Sequence, residues 1–243
     1  MAHLPALLAL VFSPLMTGMQ DQALTNVTPK ITATVDLTGP KETGGAAVVV
    51  DDATKQQLDA LAANFQKEAT DHYQLIIKTL KLEDKPAATD HVNIIVTYAY
   101  TGVAATHGSK NGPTIDVSAK YALSHPKDSG LIVHEMTHVV QHYTHHIQGS
   151  GWLTEGIADY VRWIVFEPQN NHQKLTREKA NPKGSYRTTA AFLNFVAQKY
   201  NADLVPKLNA AMQDGTYTDD LFITLTGKSI EKLGGEWQET FGA

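Results

Sequence analysis

The chain has 243 residues, 42% hydrophobic and 19% charged, which suits a globular domain with a real core and argues against disorder. Its formal net charge is −5 and no cluster of lysine or arginine stands out, so nucleic acid and anionic membrane are not indicated as partners. There is no cysteine, which excludes disulfides, thiolate metal sites and a cysteine nucleophile together.

The first twenty residues, "MAHLPALLALVFSPLMTGMQ", contain no Asp, Glu, Lys or Arg. An apolar run from Leu4 to Phe12, followed by the small residues Thr17 and Gly18, has the pattern of a secretory signal peptide, although its start lacks a basic residue and no A-x-A site is present. The pattern predicts a secreted or periplasmic protein. Residues 21–30 read as a polar leader and 31–243 as a single domain. No later apolar run is long enough to span a bilayer.

"ITATVDL" (31–37) and "AAVVV" (46–50) read as strands separated by the turn-rich "TGPKETGG". Residues 53–82 read as a long helix, because Leu58, Leu61, Phe65, Ala69, Tyr73, Ile76 and Leu80 recur at steps of three and four. "HVNIIVTYAY" (91–100) is a β-branched and aromatic run, hence a strand. "GVAATHG" and "PTIDVSA" read as a strand pair joined by "GSKNG". From Asp128 the pattern is helical almost to the end, with breaks near 148–151 and 168–185. Strands first and helices later give an α+β fold: a mixed or antiparallel N-terminal sheet with helices, then a mostly helical C-terminal half.

The chemistry concentrates in "LIVHEMTHVVQHYTHH" (131–146). Asp128 or Ser129 can cap a helix running to about His146. On it "HEMTH" is an H-E-x-x-H pattern: His134 and His138, four apart, share a face and can grip one metal ion. Glu135 lies about 100° round the helix, where a carboxylate can take a proton from water activated by the metal. Imidazole ligands with an open coordination position suit catalytic zinc. Ile132, Met136, Val139, Val140 and Tyr143 form the core stripe of the same helix.

A third ligand is needed. His142 continues the spacing, but three residues at i, i+4 and i+8 spread over about 12 Å of helix axis, too far for one ion. His145 and His146 are off register and read as a solvated helix end. The pattern H-E-x-x-H-x-x-G-x-x-H also fails, since Gln141 and Thr144 occupy the Gly and His positions. "GWLTEGIADYVRW" (151–163) follows a Gly/Ser break and can fold back as a second helix, with Leu153, Ile157, Val161 and Ile164 as its core stripe. Glu155 and Asp159, four apart on another face, then supply a ligand oxygen and a carboxylate that orients a ligand histidine.

"LIVHEMTHVVQHY", "GWLTEGIADYVRW", "GSYRTTAAFLNFV" and "LTGKSIEKLGGEW", with "GVAATHG" and "TIDVSAKYA" before them, resemble the plant and bacterial basic secretory protein family, which is grouped with gluzincin-type zinc peptidases. The resemblance runs from about residue 30 to the C-terminus, and "EGIADYVR" is its most particular part. It implies a zincin-like domain with the H-E-x-x-H helix at its centre. His134, His138 and Glu155 would be ligands of Zn2+, Glu135 the general base, and Asp159 a support behind a ligand. It also implies that Tyr186 faces the cleft.

The expectation is therefore a secreted zinc metallopeptidase that hydrolyses peptide or protein substrates. Tyr186, Tyr160 and His142, in that order, are candidates to stabilise the oxyanion. The strand around Thr114–Ser118 is a candidate edge for an extended peptide. Two other classes stay open: a non-catalytic zinc-containing binding module, and a zinc hydrolase acting on a non-peptide amide.

Overall fold

The structure, a computed structural model, describes residues 26–41, 44–109, 112–170, 174–184 and 186–241. The expected signal peptide, residues 1–20, lies outside the described residues. Of the leader, Asn26 is buried: its side-chain amide donates to the Leu82 carbonyl and its Oδ1 accepts from Tyr73 Oη at 2.8 Å. The leader thus ends pinned to the helix that follows.

Among the described residues the fold is α+β, with one four-stranded mixed sheet and eight α-helices. Strand β1 (Lys30–Asp36) leads to the long helix α1 (Asp52–Leu80), which returns the chain to β2 (His91–Thr97). β2 lies parallel to β1, as a helical crossover requires. β3 (Ala104–His107) and β4 (Thr114–Ser118) pair antiparallel, and β4 pairs parallel with β2. The strand order is β1-β2-β4-β3. β4 is therefore interior, and the edge beside the functional cleft is β3, not the Thr114–Ser118 strand favoured from sequence. "AAVVV" also departs from expectation: it makes only an isolated bridge, Thr38 to Ala47, and Val49 is exposed. Val48 and Val50 pack against the rim of the core and only Val49 of the three valines faces solvent, but the pairing with the segment after β1 stops at one bridge, so no strand ladder propagates.

α1 forms where the three-and-four periodicity places it. Asp51 caps its first turn, accepting from the Thr54 N–H at 2.7 Å. All seven residues of the expected stripe, Leu58 through Leu80, are buried against the sheet. Burial of each large member contributes about 1.5–3 kcal/mol. Across the sheet, Ile94 sits opposite Ile115 and Val96 opposite Val117, all four buried.

After β4 come α2 (Ala119–Ser124), α3 (Gly130–Gln141) and α4 (Gly151–Tyr160). α3 packs on α1 on one side and on β3 and α4 on others. It is shorter than the sequence predicts. His142 adopts a left-handed conformation, φ 41°, and ends the helix. The cause is tertiary: Gln213 Nε2 donates to the carbonyls of Val140 and Gln141, at 3.2 and 3.1 Å, satisfying acceptors that would otherwise bond the next turn. At the other end Ser129 holds the cap position but makes no side-chain cap bond. Asp128 instead accepts from Tyr121 Oη at 2.6 Å and pairs with Arg162.

α4 continues as a π-helical stretch, Val161–Phe166. The wider turn shifts the periodicity. Leu153, Ile157 and Val161 are buried as expected, but Trp163 takes the buried place that α-helical spacing assigns to Ile164. α4 packs closely on α5 (Tyr186–Lys199) through Gly156, where an added methyl would lie 2.1 Å from Thr189 Cγ2. That contact explains a glycine inside "EGIAD", where helix propensity disfavours it. α6 (Leu204–Gln213), α7 (Asp220–Thr226) and α8 (Ile230–Glu239) complete the chain. No described helix is long and apolar enough to cross a membrane.

Candidate metal centre

A cleft of about 1200 Å³ opens between β3, α3, α4 and the start of α5. His134 and His138 reach it from successive turns of α3, and Glu155 from the first turns of α4. His134 Nε2 and His138 Nε2 are 3.1 Å apart, and Glu155 Oε2 is 3.2 Å from each. The three atoms form a nearly equilateral triangle, and these are the residues able to hold a metal ion among those described.

The partners behind the imidazoles decide what the triangle presents. His134 Nδ1 is 2.7 Å from Asp159 Oδ1. A carboxylate only accepts, so Nδ1 carries the hydrogen and the lone pair is on Nε2. Gln141 Nε2 donates to the Thr154 carbonyl at 3.0 Å, which leaves Gln141 Oε1 facing His138 Nδ1 at 2.7 Å. That imidazole too is fixed with its lone pair on Nε2. Two lone pairs and a carboxylate oxygen thus converge with no hydrogen between them, an arrangement stable only around a positive charge.

The electrostatic surroundings of these groups express the same demand. Burial works against charge on His134, yet hydrogen bonds to Asp159 and Glu155 outweigh it and raise its pKa to about 9. Burial likewise works against charge on Glu155, but His134 and His138 lower its pKa to about 2. Without a metal ion the site draws in a proton.

Glu135 is buried on the next face of α3 and also lines the cleft. Thr106 of the edge strand donates to its Oε2 at 2.7 Å and lies 3.1 Å from its backbone carbonyl. Tyr186, at the start of α5, is half exposed, with its ring centroid 6.0 Å from that of His134. The Glu155 carboxylate, then partial burial, push its pKa up, so the phenol keeps its proton. His142 lines the cleft but stands outside the triangle; Tyr160 is half-buried and does not line it.

Reasoning from spacing gathers His134, Glu135, His138, Glu155 and Asp159, and the structure brings them to one place. It missed Gln141, Thr106 and Tyr100, which also lines the cleft. Gln141 was discernible in principle, because it lies one turn beyond His138 on the same helical face. Thr106 was not, since its contact depends on how β3 packs across α3.

No curated protein and no solved structure matches the chain. A family model described as peptidase of plants and bacteria does match, over residues 46–239. That span takes in α1, the sheet from β2 onward and every element of the cleft, and the chain belongs to this family of peptidases.

Proposed function

We propose that the protein is a zincin-like zinc metallopeptidase of the gluzincin type, exported by a signal peptide at residues 1–20 and folded as one domain over 31–243. The observation that carries the reading is the His134–His138–Glu155 triangle. Zinc bonds of about 2.0–2.1 Å in a tetrahedron hold ligand atoms about 3.3 Å apart, close to the separations of 3.1–3.2 Å in the protein. Nitrogen and carboxylate donors with a cleft on the open side are a catalytic rather than a structural donor set. Zinc, when bound, supplies a Lewis acid that polarises the scissile carbonyl and makes water more acidic.

The chain's own groups do the rest. Glu135 takes a proton from the attacking water on its carboxylate and passes it to the leaving amine. Thr106 holds that carboxylate by one oxygen and leaves the other free for the proton. Asp159 and Gln141 keep the two histidines in the tautomer that offers Nε2 to the metal. Tyr186 can donate its phenolic hydrogen to the developing oxyanion. The free edge of β3, whose residues line the cleft, offers main-chain groups to an extended peptide.

The test is to incubate purified protein with a diverse peptide library, with and without a chelator, and to read the cuts by mass spectrometry. Cleavage that stops with chelator and returns with zinc supports the reading. Cleavage undiminished by chelator refutes the metal's role, and no cleavage under any condition refutes the peptidase.

A further inference from the structure

Beyond the metal triangle, α4 runs into its π-helical stretch and places Arg162 and Trp163 in the wall of the cleft, with Arg187 of α5 beside them. Both guanidiniums stack on the Trp163 ring, Arg162 Cζ 4.1 Å and Arg187 Cζ 3.6 Å from its centroid. Their electrostatic situations differ. Arg162 is paired with Asp128 and, at 2.7 Å, with Glu167, both themselves largely buried. Its charge is consumed within the fold. Arg187 makes no ion pair with any described residue, though it is half-buried and lines the same cleft as the catalytic groups.

A guanidinium on an indole is held flat in a fixed pose, with its N–H edge left for a planar acceptor. An arginine kept only for packing has no reason to point its charge into a cleft and lack a carboxylate. Asp128 lines the same cleft, but it is engaged by Tyr121 and Arg162. The geometry points to Arg187, seated on Trp163, as a subsite for a substrate carboxylate. Trp163 lies eight residues along the helix from Glu155, about 12 Å of rise. Extended peptide covers about 3.3 Å per residue, so the carboxylate sits about three to four residues from the cleaved bond.

The inference rests on the peptidase reading for its meaning but can be tested apart from it. An acidic side chain and a peptide's C-terminal carboxylate are the same chemistry at this subsite, and the arms of the experiment separate them. The protein carrying Glu135→Gln is titrated with three peptides of one neutral sequence. One is blocked at both ends and carries a single Glu. The second has Gln in its place. The third has Gln and a free C-terminal carboxylate. Binding is read by fluorescence anisotropy of a label on the peptide. We expect the Glu or the free-carboxylate peptide to bind roughly 10- to 100-fold more tightly than the blocked Gln peptide, as for a charge-assisted hydrogen bond.

Arg187→Gln should bring the peptides to within about twofold of one another, and Arg187→Glu should invert the preference. Arg187→Lys, which keeps the charge but loses the planar fork, should retain part of it. No preference in the Arg187 protein, or a preference unchanged in Arg187→Gln, overturns the subsite. An Arg187-dependent preference in binding, with no cleavage by the Glu135 protein, would leave the subsite standing and remove the peptidase.

Discussion

His134 Nδ1 lies 2.7 Å from Asp159 Oδ1, a histidine of one helix held by the carboxylate of the next. The same α4 carries Glu155 one turn earlier, on the Nε2 side of that imidazole. A single helix thus supplies both the oxygen that completes the triangle and the group that aims one of its nitrogens. Substitution at the two positions should have unequal effects. Glu155→Ala removes a donor and should largely abolish zinc retention on dialysis. Asp159→Asn leaves the donors in place and should lower zinc affinity on the order of 10- to 100-fold. His142→Ala should leave metal content unchanged, because that residue stands outside the triangle. Elemental analysis of the three variants checks the ordering, and full retention in Glu155→Ala would show that the third ligand is elsewhere.

The proton held by the metal-free site sets a pH dependence. His134 has its pKa raised from 6.5 to about 9, so its contribution to stability is complete below about pH 6.5 and is lost as pH rises through about 9. Glu155 has its pKa lowered from 4.5 to about 2, so its contribution is complete above about pH 4.5 and is lost as pH falls through about 2. Chelator-treated protein should therefore hold this part of its stability best between about pH 4.5 and 6.5, as thermal melts across pH would show. Zinc must displace the His134 proton, so its affinity should climb with pH up to about 9. A zinc affinity flat from pH 6 to 9 would contradict this.

Thr106 ties the edge strand to Glu135, the proposed base. Thr106→Val keeps the shape and removes the hydrogen bond to Glu135 Oε2. It should lower kcat about tenfold, less than the roughly hundredfold or more that removing a positioned acid–base group costs, with KM and zinc content little changed. Thr106→Ser should restore most of the loss. A fall in zinc content, or no rescue by serine, would mean that Thr106 serves packing alone.

These relationships were not equally visible in the sequence. The α1 stripe was, because a 29-residue helix repeats its period often enough to be unmistakable. The metal-site spacing was too, since i and i+4 meet wherever a helix forms. The end of α3 was not. The helical pattern continues past Gln141, and the helix stops because Gln213, 72 residues later, takes the carbonyl of Gln141. The shift from Ile164 to Trp163 was hidden for a similar reason: a π turn changes the period, and no residue type announces it. Arg162 and Arg187 look alike in a sequence. Only packing shows that one is neutralised by Asp128 and Glu167 while the other is left for the cleft.

The central claim is that zinc on His134, His138 and Glu155 works with Glu135 as the base, and the Glu135→Gln protein tests it most directly. Zinc per chain and peptide turnover are measured on the same preparation, beside the unaltered protein. The account predicts one zinc per chain in both, with turnover lower by at least about a hundredfold in the variant. Near-normal turnover by Glu135→Gln would contradict it.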